Sequence, residues 1–131
     1  MPHAHDFPAA GGVINGKLYI VGGYPPASYL DVYDPATDSW TTRTQLSIGR
    51  WQAAGVVIGG ELYVFGGEGD SPLDAYVDDP TSDSWSIITQ IPTQRNLPSA
   101  VAVNGSAFLI GGAGPVSPGV PISVVDKVIP P

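Results

Sequence analysis

Three short apolar runs, 18–21, 62–65 and 107–110, each end in a glycine pair: Gly22-Gly23, Gly66-Gly67 and Gly111-Gly112. The first glycines stand 44 and then 45 residues apart. A fixed period of this size marks a repeat architecture, in which each unit is one supersecondary module and neighbouring units bury one another's apolar surface. Within the runs the apolar residues are consecutive rather than alternating, so both faces of each strand need cover. A sheet stacked between two other sheets meets that demand. Glycine at a strand's end supplies positive φ or lets another backbone come close. Two in succession mark a sharp exit under crowding.

The rest of each unit follows suit. Asn15-Gly16 and Asn104-Gly105, with Gly59-Gly60 between them, are two-residue hairpin signals flanked by apolar runs. In the first unit an inner strand is expected within 8–14, the glycine-ended strand at 17–23, a loop at 24–28 and a third strand at 29–33. A turn rich in Asp, Pro and Ser at 34–39 leads to a Thr-rich outer strand at 40–44. The second unit repeats this: Asp34-Pro35 returns as Asp79-Pro80, Asp38-Ser39-Trp40 as Asp83-Ser84-Trp85, Gln45 as Gln90 and Arg50 as Arg95, all 45 apart. The third has an inner strand at 99–103, a Pro-rich loop at 113–121 and a third strand at 122–129, with no further Asp-Ser-Trp. The units span about 6–45, 50–90 and 95–131 of a single all-β domain.

Composition bounds the function. Hydrophobic residues make up 43% and charged residues 13%, which places the chain among globular proteins. A formal charge of −7, with five Lys and Arg, argues against nucleic acid and anionic membrane as partners. No apolar window is long enough for a transmembrane helix. The start, Met1-Pro2-His3-Ala4-His5-Asp6, lacks the basic and apolar regions of a signal peptide. A soluble chain is expected, in a compartment left open. The absence of Cys excludes disulfides and thiol chemistry. No Gly-x-Ser-x-Gly and no phosphate-binding loop is present, and no cofactor is called for. His3-x-His5 followed by Asp6 has ligand chemistry for zinc or copper, but without a fourth ligand it reads as incidental.

These residues together resemble the Kelch motif. The likeness rests on the Gly-Gly pair after an apolar-aromatic strand, on Tyr33 before an Asp-Pro turn, and on Trp40 and Trp85 six residues after the turn's Asp. Arg50 and Arg95 then open the next units, while His5-Asp6 holds that place in the first, and Val77-Asp78 replaces the Tyr in the second. WD-type repeats have a similar length but want Trp-Asp and Gly-His pairs, which are missing here. The resemblance implies a β-propeller built of four-stranded antiparallel blades, with Trp40 and Trp85 as core wedges. Some Kelch-like propellers are copper oxidases, but their site needs a Cys-modified Tyr. Others act on sugars, and that class stays open as the alternative to a non-catalytic module for protein or glycan ligands.

Up-and-down strands put successive loops at opposite ends. The hairpin and Asp-Pro turns share one end, with the same chemistry in each unit. The loops after the glycine pairs share the other end with those carrying Arg50 and Arg95, and these vary, as binding loops do. Candidate ligand contacts are Tyr24, Arg50, Trp51, Gln52, Glu68, Asp70, Arg95 and Asn96. Trp51 is unrepeated, Asn96 holding its place, and is the candidate anchor. Gln52 is expected on Arg50's side of a strand. Each guanidinium either anchors an acidic ligand group or satisfies carbonyls and an Asp within the repeat. Glu68 and Asp70 are either solvated loop acids or a cation site.

Propellers close with four to eight blades. Three blades leave two apolar faces open, and a homodimer closing six blades, two of them three-stranded, would cover both. The rival expectation is a piece of a longer chain.

Overall fold

The computed structural model describes residues 1–7, 10–24, 28–115 and 119–131. Pro8 and Ala9 of the expected inner strand, 25–27 of the first loop and 116–118 of the Pro-rich loop lie outside them. The described residues form eleven strands: β1 (Ala10–Ile14), β2 (Lys17–Val21), β3 (Leu30–Asp34), β4 (Ser39–Arg43), β5 (Ala54–Ile58), β6 (Glu61–Phe65), β7 (Asp74–Asp79), β8 (Ser84–Gln90), β9 (Ser99–Val103), β10 (Ser106–Ile110) and β11 (Val125–Val128). They make three antiparallel sheets in chain order, β1-β2-β3-β4, β5-β6-β7-β8 and β9-β10-β11. Each sheet is one blade.

The turns fold as their residues dictate. Both residues of every inner hairpin have positive φ: Asn15 49° and Gly16 76°, Gly59 63° and Gly60 87°, Asn104 49° and Gly105 73°. That geometry matches the right-handed twist of the flanking strands. In the Asp-Pro turns, Asp34 accepts from the Ala36 N–H at 2.9 Å and Asp79 from the Thr81 N–H at 2.8 Å. Side-chain and backbone donors from Thr81 and Ser82 hold the Asp79 carboxyl down at about 2.

The blades stack through two apolar seams. Tyr19, Val21 and Val32 of the first blade meet Leu62, Val64 and Tyr76 of the second. Tyr63, Phe65, Ala75 and Val77, on the second blade's other side, meet Ala107, Leu109 and Val128 of the third. Cover on both faces of the glycine-ended strand, expected for every unit, is complete only for β6. On β2 Leu18 is exposed, and on β10 Ile110 is exposed, because each outer blade has one neighbour among the described residues. Trp85 is a seam residue: it packs on the first core cluster, and its indole N–H donates to the Thr44 carbonyl at 2.9 Å. Trp40 is half-buried and tilted against Tyr33, ring centroids 5.0 Å apart.

The third strand of the last blade is shorter than the expected 122–129. Before β11, the Ile122 N–H bonds to the Gly112 carbonyl and the Val124 carbonyl accepts from Arg95, so this stretch is held outside the ladder.

Candidate functional site at the loop end

Each blade's entry loop drives one long polar side chain into the crowded exit of its glycine-ended strand. Arg50 and Arg95 are fully buried. Arg50 donates to the carbonyls of Gly66, Asp70 and Ser71 at 3.0, 3.1 and 2.8 Å, and its guanidinium lies 5.1 Å from the centroid of the Tyr76 ring. Arg95 donates to the carbonyls of Gly111 and Val124 at 2.9 and 3.1 Å and pairs with the Asp126 carboxylate. His5 holds the same place in the first blade. Its ring nitrogens face the Gly22 carbonyl at 2.6 Å and the Asp31 carboxylate at 3.2 Å. His3 stacks on Tyr29 and also reaches Asp31. Burial pushes the Asp31 carboxyl up, but bonds from His3, Thr42 and His5 outweigh it and hold the group below the ordinary range.

The glycine pairs are the counterpart of these plugs. Gly66 has φ 66°, and a Cβ there would stand 2.6 Å from the Arg95 carbonyl. Gly67, at φ 82°, donates its N–H to that carbonyl at 2.8 Å, and Gly23 donates likewise to the Arg50 carbonyl at 2.8 Å.

Just past the plugs, the loops open into a cleft of about 700 Å³. Three stretches frame it: Ser47, Ile48, Gly49 and Trp51; Glu68, Gly69, Asp70 and Pro72; Gln94 and Asn96, with Pro115 at the edge. Trp51 pairs with Glu68 through the backbone, the Glu68 N–H reaching the Trp51 carbonyl at 2.9 Å, and Asn96 pairs in the same way with Ala113. The Asn96 amide donates to Glu68 Oε1 at 2.9 Å. Its Oδ1 is buried without a partner among the described residues. A smaller cleft of about 180 Å³ on the other side of Asn96 and Glu68 is lined by Gln52, Leu97 and Gly114 among others.

The structure thus brings Trp51, Glu68, Asp70 and Asn96 together. Tyr24 is exposed beside them, edge-on to the Trp51 ring with centroids 5.7 Å apart. Arg50 and Arg95 lie beneath the cleft with their guanidinium donors turned inward. Gln52 does not share Arg50's side of a strand: it is a left-handed bend at φ 57°, which breaks the alternation. Phe7 and Leu97 make the same bend in the other two loops, at φ 47° and 52°. Ser47 and Gln94 were not singled out by sequence, since unrepeated polar loop residues carry no pattern.

A second cleft of about 430 Å³ lies at the turn end, lined by Lys17, Tyr19, Arg43, Pro80 and Asp83 among others. Its charges are already paired, Lys17 with Asp34 at 2.9 Å and Arg43 with Asp83 at 3.0 Å.

Comparison with known proteins agrees with this architecture. The Kelch motif matches residues 7–47. The first unit carries a Kelch motif. An F-box/kelch-repeat protein of Arabidopsis thaliana is 50% identical over 34 residues, which is 26% of this chain and 13% of that protein. The solved structure of YjhT matches with a TM-score of 0.80 at 19% identity, over 94% of this chain and 48% of that one. The chain therefore spans about half of that structure and a small part of the Arabidopsis relative. The likeness to YjhT is one of fold alone, and it takes in nearly the whole chain.

Proposed function

We propose that this chain is a Kelch-repeat binding module that takes protein or glycan ligands at its loop end. The observation that carries the reading is the cleft framed by Trp51, Glu68, Asp70 and Asn96. Its lining changes from unit to unit, Asn96 standing at the repeat position of Trp51, while the turn end of the first two units keeps its Asp-Pro and Asp-Ser-Trp residues. A concave site with an aromatic wall and a few convergent polar groups, set on rigid strands, is what ligand sites are made of. Trp51→Ala is expected to weaken a ligand by roughly 2 kcal/mol or more. Ligand protection in hydrogen exchange is expected at 47–52, 68–72 and 94–97. Protection confined to the turns at 34–38 and 79–83 would overturn the reading, and turnover of a bound sugar would move it to the enzymatic alternative.

The open faces support a proposal on assembly. Val101, Val103, Phe108 and Ile110 occupy the repeat positions of Val56, Ile58, Tyr63 and Phe65. The second set lies within a seam, whereas Val103 is 48% and Ile110 43% exposed. Val13 and Leu18 are exposed on the first blade's outward face. A surface shaped to receive a blade is best covered by a blade, and a second copy supplies one at each end of the arc. The expected result of light scattering is a species of about twice 13.6 kDa. A monodisperse, folded monomer would refute closure by a second copy.

A further inference from the structure

We infer that the loop-end cleft selects a cationic group, the ammonium or guanidinium of a Lys- or Arg-bearing peptide. This rests on the loop end being the binding face and names the chemistry it accepts. Three groups in the lining only accept hydrogen bonds: the Glu68 and Asp70 carboxylates and Asn96 Oδ1. Asn96 is 8% exposed, and its amide is already committed to Glu68, so the oxygen is left as a buried acceptor without a donor. Such an atom is costly to leave unmade, and a ligand N–H removes the cost.

Charge points the same way. Of the five Lys and Arg, Lys17 and Arg43 line the turn-end cleft, Lys127 is on β11, and Arg50 and Arg95 are fully buried, with both terminal nitrogens of each bonded to protein oxygens. None offers the cleft a free cation. Trp51, an aromatic residue of the kind that attracts cations, lines the same cleft as the two carboxylates in a chain of formal charge −7. An acidic peptide would meet Glu68 and Asp70 as like charges, and a neutral sugar would leave both carboxylates without an opposite charge.

The test is calorimetric titration with tetra-arginine, tetralysine, tetraglutamate and a neutral oligosaccharide at low and at physiological salt. Tetra-arginine is expected to bind, and Glu68→Gln to weaken it about ten-fold, an ordinary effect for one charge-assisted bond. Asp38→Asn removes the same charge at the other end and is expected to leave affinity unchanged, which separates a built site from general attraction. Equal loss in both variants, or tighter binding of tetraglutamate, would overturn the inference. Binding of the oligosaccharide alone, abolished by Trp51→Ala, would overturn the cationic preference while the loop-end reading stood. Binding of no probe at the loop end would remove both.

Discussion

The seam between the first and second blades and the seam between the second and third are assembled from the same repeat positions, but they treat charge differently. In the second seam Arg95 is plugged beside Asp126, and a buried cation meets a buried anion. In the first, Tyr76 stands where Asp126 stands in the last blade, so Arg50 rests on a ring and on carbonyls, its Nε without a partner among the described residues. A carboxylate is still present, two residues on. Asp78 is fully buried with neither oxygen bonded among the described residues, and burial pushes it up to about 6 although Arg43 pulls the other way. Moving an acid by one pleat repeat thus turns a buried ion pair into two separate groups. The first seam has other fastenings, the Arg43–Asp83 pair and the Trp85 bond to Thr44.

The contrast can be broken most strongly at the backbone. Gly66→Val places a β-branched residue at φ 66° with its Cβ against the Arg95 carbonyl, and a loss above about 4 kcal/mol is expected in urea unfolding. A variant with the parent midpoint would remove the strand-exit account. Next comes the ion pair. Arg95→Leu leaves Asp126 buried without its partner and is expected to cost about 3–5 kcal/mol. Arg50→Leu strands no carboxylate and should cost measurably less; equal losses would show that the plugs act by packing alone.

Asp78 gives the two seams different pH behaviour. Its folded pKa lies above the ordinary 3.8, so the fold favours the protonated acid. Below about 4 the cost of burying its charge is absent. As pH rises from about 4 to about 6 stability falls, and above about 6 the whole cost of the buried charge is in force. Asp78→Asn is therefore expected to stabilise the chain at pH 7 and to bring little change at pH 4, a difference readable from paired thermal melts. The smallest effect is at the edge of the same seam, where Trp85→Phe removes one bond to Thr44 and should cost about 1 kcal/mol.

Much of this was legible in the residues. The glycine pairs, the Asn-Gly turns and the Asp-Pro turns each require a local backbone geometry, so they fixed blade order and loop ends. The matching of His5, Arg50 and Arg95 was legible too. Their employment was not, because a guanidinium turned inward and one turned outward have the same spacing. Asp78 stood out as a departure from the Tyr-Asp-Pro pattern, yet its burial depends on a neighbouring blade some forty residues away. Gln52 misled because alternation holds only for extended backbone. The orphaned oxygen of Asn96 arises from the meeting of two loops, which no single stretch encodes.

The exit glycines have a consequence for motion. Gly23 N–H holds the Arg50 carbonyl and Gly67 N–H holds the Arg95 carbonyl, so each of the first two sheets grips the threshold of the next. Cooperativity in such a chain runs between nearest neighbours, the opening of one sheet coupled to the sheet it grips. A molecule seated across 47–51 and 94–96 bridges one of these grips. It would act as a clasp, and occupancy of the cleft would be felt as slower breathing of sheets that it never touches.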